Sequence, residues 1–513
     1  MSRSSFVKST LILSAATLLS KVLGSVFRIP LQNIAGDEVL GIFSIVYPVY
    51  MVALILSVAG IPIAISKLIA EARAKNESEH IRQIYFTASI LAILFGIISF
   101  TLIYSFSSSI ATALGGPNTR LALIVVAATL LVAPYMAVYR GFFQGFEDMR
   151  PTAVSQVIEQ FIRVGLILFV AYYLVNQGYS DDIIAGGVMA GSIIGALFSL
   201  LYLRITYVRS PFKLSSGGTY SYRTFSIWSI NILKVSIPIA IGTITMALLN
   251  FVDSITIPYS LESAGIKTSD ITYLYGIYGR GLSLVQIATV LATSIVLPLI
   301  PLITTKLTAK EHDETRAIIE KTHRITHLTS WPAALGLLAL TLPLNLALFT
   351  NTAGSSTLAI LGLSSVFTSL VVLGTGILQG MNLAKQAAMV IVVGVVLKTI
   401  ANIYLIDLFG LMGAALSTLV VYIILFVINS YYISKQLTSK IVTIETGKIV
   451  FSSLTMAAII GIPTLFINFT DWSRLQALAY AVIAILFGTG FYFIQLYLMR
   501  VINKHTIRGI RSK

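Results

Sequence analysis

The chain has 513 residues, 56% of them hydrophobic and only 11% charged, with a net charge of +15. It contains no cysteine, which excludes disulfides and thiolate metal sites. Apolar segments of about 20 residues recur along nearly its whole length, as expected of an all-α protein that crosses a membrane many times.

In chain order, Arg3 and Lys8 precede "STLILSAATLLSKVLGSVF". No small-residue cleavage site is evident and Lys21 interrupts the run, so this is read as a retained first span, 9–31. Lys21 and Arg28 lie seven residues apart, two turns along one helix face. Span 2 (40–66) is punctuated by Gly41, Pro48, Gly60 and Pro62. Spans 3 and 4 (83–107, 119–139) are apolar. In span 5 (152–176), Glu159 precedes Arg163 by four residues, the favoured order for an intrahelical ion pair. Span 6 covers 183–203. Span 7 (228–258) holds Lys234 toward one end and Asp253 toward the other. Span 8 (271–303) contains Gly276, Pro298 and, between Gly279 and Gly281, Arg280. A guanidinium at the bilayer centre costs about 2.5–3.5 kcal/mol on insertion scales, so it needs a wet cavity or a partner.

The five histidines fall in polar connectors or, for His327, at the edge of one. His323 and His327 share a helix face without an accompanying carboxylate motif, which predicts an ordinary surface pair and no metal site. Spans 9 to 12 follow at 326–349, 355–380, 386–406 (with Lys398) and 410–433, and spans 13 and 14 at 447–469 and 475–499.

With the amino terminus inside, the inner segments hold 26 basic residues and the outer ones only Arg120, Lys267 and Arg474. That asymmetry predicts fourteen spans with both termini cytoplasmic. It also accounts for much of the basic charge without nucleic acid, for which no soluble module with exposed aromatics exists. Six basic residues remain within spans, Lys21, Arg28, Arg163, Lys234, Arg280 and Lys398, against two acids, Glu159 and Asp253. Topology does not explain this excess.

The chain also repeats. "GFFQGFEDMRPTAVSQVIEQFIRV" (141–164) aligns with "GILQGMNLAKQAAMVIVVGVVLKT" (376–399) at an offset of 235. Gly141 meets Gly376, Gln144 meets Gln379, Gly145 meets Gly380, Arg150 meets Lys385 and Arg163 meets Lys398; the same offset pairs Gly41 with Gly276. An offset spanning six helices gives parallel repeats about an axis along the membrane normal, with a substrate site near the midplane between them. The predicted organisation is a lobe at 1–218 (spans 1–6), a second at 219–440 (spans 7–12), and 441–513 with spans 13, 14 and a basic cytoplasmic tail.

The repeat, the span count and the phrases "SKVLGSVFRIPLQNIAGDEVLGIFSIVYPVY" and "AGIPIAISKLIAEARAKNES" resemble the polysaccharide-transport and SpoVB/MurJ-like branch of the multidrug/oligosaccharidyl-lipid/polysaccharide (MOP) exporters, in its Gram-positive form. The resemblance implies a MATE-like fold of two six-helix lobes in a V that opens alternately to either side. It implies flipping of a polyprenyl-pyrophosphate-linked glycan such as lipid II, and a groove for the lipid tail formed by spans 13 and 14. Lys21, Arg28 and Arg280 match the family's cavity cations. Where some relatives carry an acid early in span 2, this chain has Leu40 or Gly41, and the arginine some carry further along is replaced by an apolar run.

Arg280 has two readings, a pyrophosphate ligand or a bridge to Asp253. Lys21, Arg28, Lys398 and Arg163 are the other candidate substrate cations, and Asp253 and Glu159 the candidate gate or ion-coupling acids. The leading expectation is a monomeric cell-membrane flippase that works among membrane lipids without a cofactor. The alternatives are a drug antiporter of the same fold, which would want buried carboxylates for cationic cargo, and a membrane glycosyltransferase or polymerase, which would want positioned acids on sizeable loops. The outer acids, Asp37 and Glu38 among them, are scattered over short connectors.

Overall fold

No water reaches the hydrocarbon core to satisfy backbone amides, so a chain this apolar crosses it as helices. The computed structural model describes residues 3–58, 60–214 and 220–502, and every regular element among them is helical. The first elements are α1 (Arg3–Val26), α2 (Arg28–Val58), α3 (Ile61–Ala74), α4 (Ser78–Ser105), α5 (Ser107–Ala113), α6 (Arg120–Ala127) and α7 (Ala133–Gly145). Then come α8 (Arg150–Asn176), α9 (Asp181–Arg209), α10 (Tyr222–Thr243), α11 (Thr245–Ser263) and α12 (Thr268–Thr308). The remainder are α13 (His312–Ala339), α14 (Thr341–Phe349), α15 (Ser355–Gly380), α16 (Ala384–Phe409), α17 (Leu411–Leu437), α18 (Ile444–Gly461) and α19 (Arg474–Leu498). The side chains of Arg3, Lys8 and Pro298, and the basic tail from residue 503, lie outside the described residues.

Among the described residues, ten helical stretches are long and apolar enough to cross a membrane, or twelve when two bent pairs each count as one span. One of the ten, Ile12–Ala74, is 63 residues long. At 1.5 Å per residue that is roughly three times a 30 Å hydrocarbon core, so it holds more than one crossing. The tally is compatible with fourteen.

Two features of that stretch depart from the sequence expectation. Asp37 and Glu38 belong to α2 and not to a loop, because Gly36 takes a left-handed φ of 82° and lets the helix resume at once. Asp37 is buried, with Gln32 donating to its carboxylate at 3.3 Å. The predicted span 2 is itself divided at Gly60 (φ 86°), after which Ile61 and Pro62 open α3. Two further bends punctuate the chain: 46° in α12 between Val290 and Ala292, and 79° between α13 and α14.

Residues 1–276 form one compact unit and 277–513 another, the division falling within α12. In the first, α8 packs on α9 and α1, α3 on α7, α11 on α2, and α10 on α3 and α4. Tyr85, Tyr139, Phe142, Ile65 and Ile69 belong to its core. In the second, α15 packs on α13 and α17, α16 on α17, and α18 on α13 and α19.

Repeat-related positions make related contacts inside each unit. A Cβ on Gly141 of α7 would lie 2.8 Å from Pro62 of α3, and one on Gly145 2.8 Å from Ile69. At the matching positions of α15, a Cβ on Gly376 would lie 2.4 Å from Val296 of α12, and one on Gly380 3.0 Å from Ile300 and Ile303. Without a hydrophobic drive between helices in lipid, such small residues let backbones close in. The tightest approach is reciprocal. A Cβ on Gly41 would sit 1.8 Å from the Thr272 carbonyl oxygen, and one on Gly276 2.0 Å from that of Asp37.

Candidate functional site

The first unit gathers cations around the α1–α2 junction. Arg28, the first residue of α2, is 4% exposed, and Arg163 of α8 is 9% exposed. The Arg28 guanidinium carbon lies 5.5 Å from the Phe43 ring centroid and 5.8 Å from that of Tyr47, within cation–π range. Phe43 and Tyr47 stack on each other at 5.3 Å. Arg163 reaches toward Gly24 of α1, where a Cβ would stand 3.5 Å from its Nη2. The two arginines are close enough for their like charges to interact, and Tyr47 lies near both. Each keeps a buried Nε without a hydrogen-bond partner. A buried donor left in that condition costs about 1–3 kcal/mol, and more when charged.

Lys21 is half-buried on α1, seven residues before Arg28 but on the other side of the break at Phe27 that separates α1 from α2. Asp253 of α11 is 3% exposed, and Tyr275 lies within electrostatic range of both Asp253 and Arg28. Glu159 departs from expectation. Its ion pair is with Arg140 of α7 at 2.7 Å, not with Arg163 four residues on. Arg140 also donates to Ser155 (3.0 Å) and Ser199 (3.1 Å), which aims it across α8 and α9 and makes it the nearer partner.

The second unit holds the other two predicted cations. Arg280 is fully buried and donates from Nη1 to the side-chain oxygens of Asn345 (3.0 Å) and Asn351 (2.8 Å). The Phe349 ring centroid lies 5.3 Å from its guanidinium carbon. Lys398 of α16 is fully buried and donates to Thr418 of α17, whose hydroxyl also pairs with Tyr278 at 3.0 Å.

Beside Arg280 along α12, a cavity of about 450 Å³ is lined by Leu284 and Ile287 of α12, Leu337 of α13, Leu344 of α14, Met456 of α18 and Tyr492 of α19, among others. Its walls are almost wholly apolar.

His323 and His327 are buried at 1% and 2% exposure, which corrects the expected surface pair. α13, only the amino-terminal part of which is expected as a polar connector, packs on α15 and α18, and the Trp331 indole donates to His327 Nδ1 at 3.1 Å. No cluster of three or more potential metal ligands occurs among the described residues. Sequence reasoning missed Tyr47, Arg140, Asn345 and Asn351. Asn345 carries a signal in retrospect, a lone amide within the apolar "TLPLNLALF"; Asn351, in a polar turn, carries none.

Residues 6–307 match the family model described as polysaccharide biosynthesis protein. The chain belongs to that family. Among its relatives, the lipid II flippase MurJ of Bacillus subtilis (strain 168) is 27% identical over 520 residues, covering 95% of this chain and 94% of MurJ. Two solved structures share the fold. An inward-facing multidrug resistance MATE family transporter of the MOP superfamily superposes with a TM-score of 0.66 at 15% identity, over 81% of this chain and 95% of its own. Lipid II flippase MurJ in an inward closed conformation superposes with a TM-score of 0.64 at 16% identity, over 95% and 100%. At such identities the likeness speaks for the fold alone, and the MurJ fold takes in more of this chain than the MATE fold. As a MurJ-like member of the family, the chain is a multi-pass membrane transporter with the MOP architecture.

Proposed function

We propose that the protein flips an anionic, polyprenyl-pyrophosphate-linked envelope precursor from the inner to the outer leaflet by alternating access. The observation that carries this reading is the arrangement along α12. Arg280 stands one helical turn from Leu284, where the apolar cavity begins. One helix thus offers a cation to a charged head and a greasy wall to a tail, the two halves of such a lipid. A planar guanidinium fork suits pyrophosphate. The unpartnered Nε atoms of Arg28 and Arg163 supply a second cationic centre in want of acceptors.

One relative supports the same cargo class, since lipid II is what the Bacillus subtilis MurJ is named for. A cation antiporter of the same fold would need acids where this chain has buried arginines and lysine. The distribution of basic residues supports a topology with both termini in the cytoplasm.

The test is complementation of a flippase-deficient strain at matched membrane abundance. Arg280→Ala should abolish flipping without impairing insertion, and Arg280→Lys should keep part of it, retaining the charge without the fork. Recovery by an Arg280→Ala/Asp253→Asn double mutant would show instead that the arginine serves an internal bridge. Depletion should make the polyprenyl-linked intermediate accumulate in the cytoplasmic leaflet, which also names the glycan.

A further inference from the structure

α14 has nine residues and turns away from α13 by 79°. A helix so short does not sustain itself, since isolated helices below about 12–15 residues are marginal. Its neighbours hold it. At its carboxyl end, where the last carbonyls lack partners within the helix, Arg474 at the start of α19 donates from Nε to Ala347 O (2.7 Å) and from Nη2 to Leu348 O (3.4 Å). A guanidinium there also complements the negative end of the helix dipole. Leu346 and Ala347 pack with Phe469 and Ala477, beneath a ring trio of Phe469, Trp472 and Tyr480 whose centroids lie 5.0–5.9 Å apart.

Toward α12, the same short helix and the turn after it grip Arg280. Asn345 accepts from Arg280 through its oxygen while its amide nitrogen donates to Ala353 O (2.9 Å) and Ser355 Oγ (3.0 Å) at the head of α15. Asn351 accepts both from Arg280 and from the Ala353 backbone at 3.0 Å.

We infer that α14 is a relay through which α19 positions Arg280, making Arg474, Asn345 and Asn351 positioning residues for the group that grips the anionic head. The inference rests on the reading of Arg280 as the head-binding cation. Leu344 of α14 lines the apolar cavity together with Ile485, Gly488, Tyr492 and Phe493 of α19. The helix that walls the tail site therefore also braces the element that aims the guanidinium. The grip on the head depends on how the tail helices are seated. This gives a use to Arg474, one of the three basic residues in predicted outer segments.

Two measurements on the full-length protein test it. Hydrogen exchange of peptides covering 341–353 should accelerate in Arg474→Ala and in Asn345→Ala, with Arg474→Lys intermediate and α16 unchanged as an internal control. In the complementation assay, Arg474→Ala should lower flipping about tenfold alone but less than about twofold on an Arg280→Lys background, because the fork that the relay aims is already gone. Equal fold losses in both backgrounds, or unchanged exchange in Arg474→Ala, would overturn the relay while leaving the Arg280 reading intact. Normal flipping by Arg280→Ala would overturn that reading and the positioning role with it, and the single mutant alone reveals which has failed.

Discussion

Arg140 ties three helices together through one guanidinium, pairing with Glu159 and Ser155 of α8 and Ser199 of α9. Both members of the ion pair are largely buried, so removing one strands the other's charge, at a cost on the order of 1–3 kcal/mol after allowance for partial exposure. Arg140→Ala and Glu159→Ala should each lower the thermal unfolding temperature in detergent, and the double mutant should regain part of the loss. A double mutant whose loss equals the sum of the two single losses would mean that the pair is not coupled. Arg28 and Arg163 should behave in the opposite way. Their buried, unpartnered Nε atoms are a stability cost, so Arg28→Met and Arg163→Met should hold or raise the unfolding temperature while flipping falls. A lower unfolding temperature with flipping intact would make them structural. The sequence made these arginines visible because a charge in an apolar run stands out. It could not make Glu159's partner visible, since the i, i+4 rule sees only one helix and Arg140 arrives from another. Neutral Asn351 offered no contrast at all.

Helix existence was legible from hydropathy, and the glycine and proline punctuation marked where helices break. Where along the chain they break was less so. Gly36 lies in what read as a loop, and the bend ahead of α14 has no glycine or proline at the Leu340 break itself. The burial of His323 and His327 was hidden because α13 begins with charges and only its covering by α15 and α18 makes it interior. The repeat makes a sharper test at this scale. A methyl on Gly141 collides with the backbone of Pro62, which has no rotamer to change, whereas one on Gly376 meets the Val296 Cγ1 atom, a side chain that turns aside. Gly141→Ala should therefore depress the unfolding temperature more than Gly376→Ala. The reverse order would show that α3 yields more readily than the valine does.

Across the whole molecule, the absence of cysteine makes topology directly measurable. Lys213→Cys and Lys310→Cys, both at exposed positions, should react with an impermeant maleimide only after the membrane is opened. Lys267→Cys should react from outside in intact cells. External labelling at Lys213 or Lys310 would refute the fourteen-span arrangement. The inside–outside asymmetry was readable because positive charge is counted loop by loop. The paired glycines of the repeat were readable as letters, but their mutual contact was not, because spacing says nothing about which copies touch.

That contact has a practical consequence. Gly41 meets the carbonyl four residues before Gly276, and Gly276 the carbonyl four residues before Gly41. Because each glycine guards the same seam, one methyl on either helix is enough to prise it apart, and a second adds little. Under the proposed topology the seam lies near the outer ends of spans 2 and 8, and both glycines are buried in it, so a methyl on either would act as a wedge at the outer face.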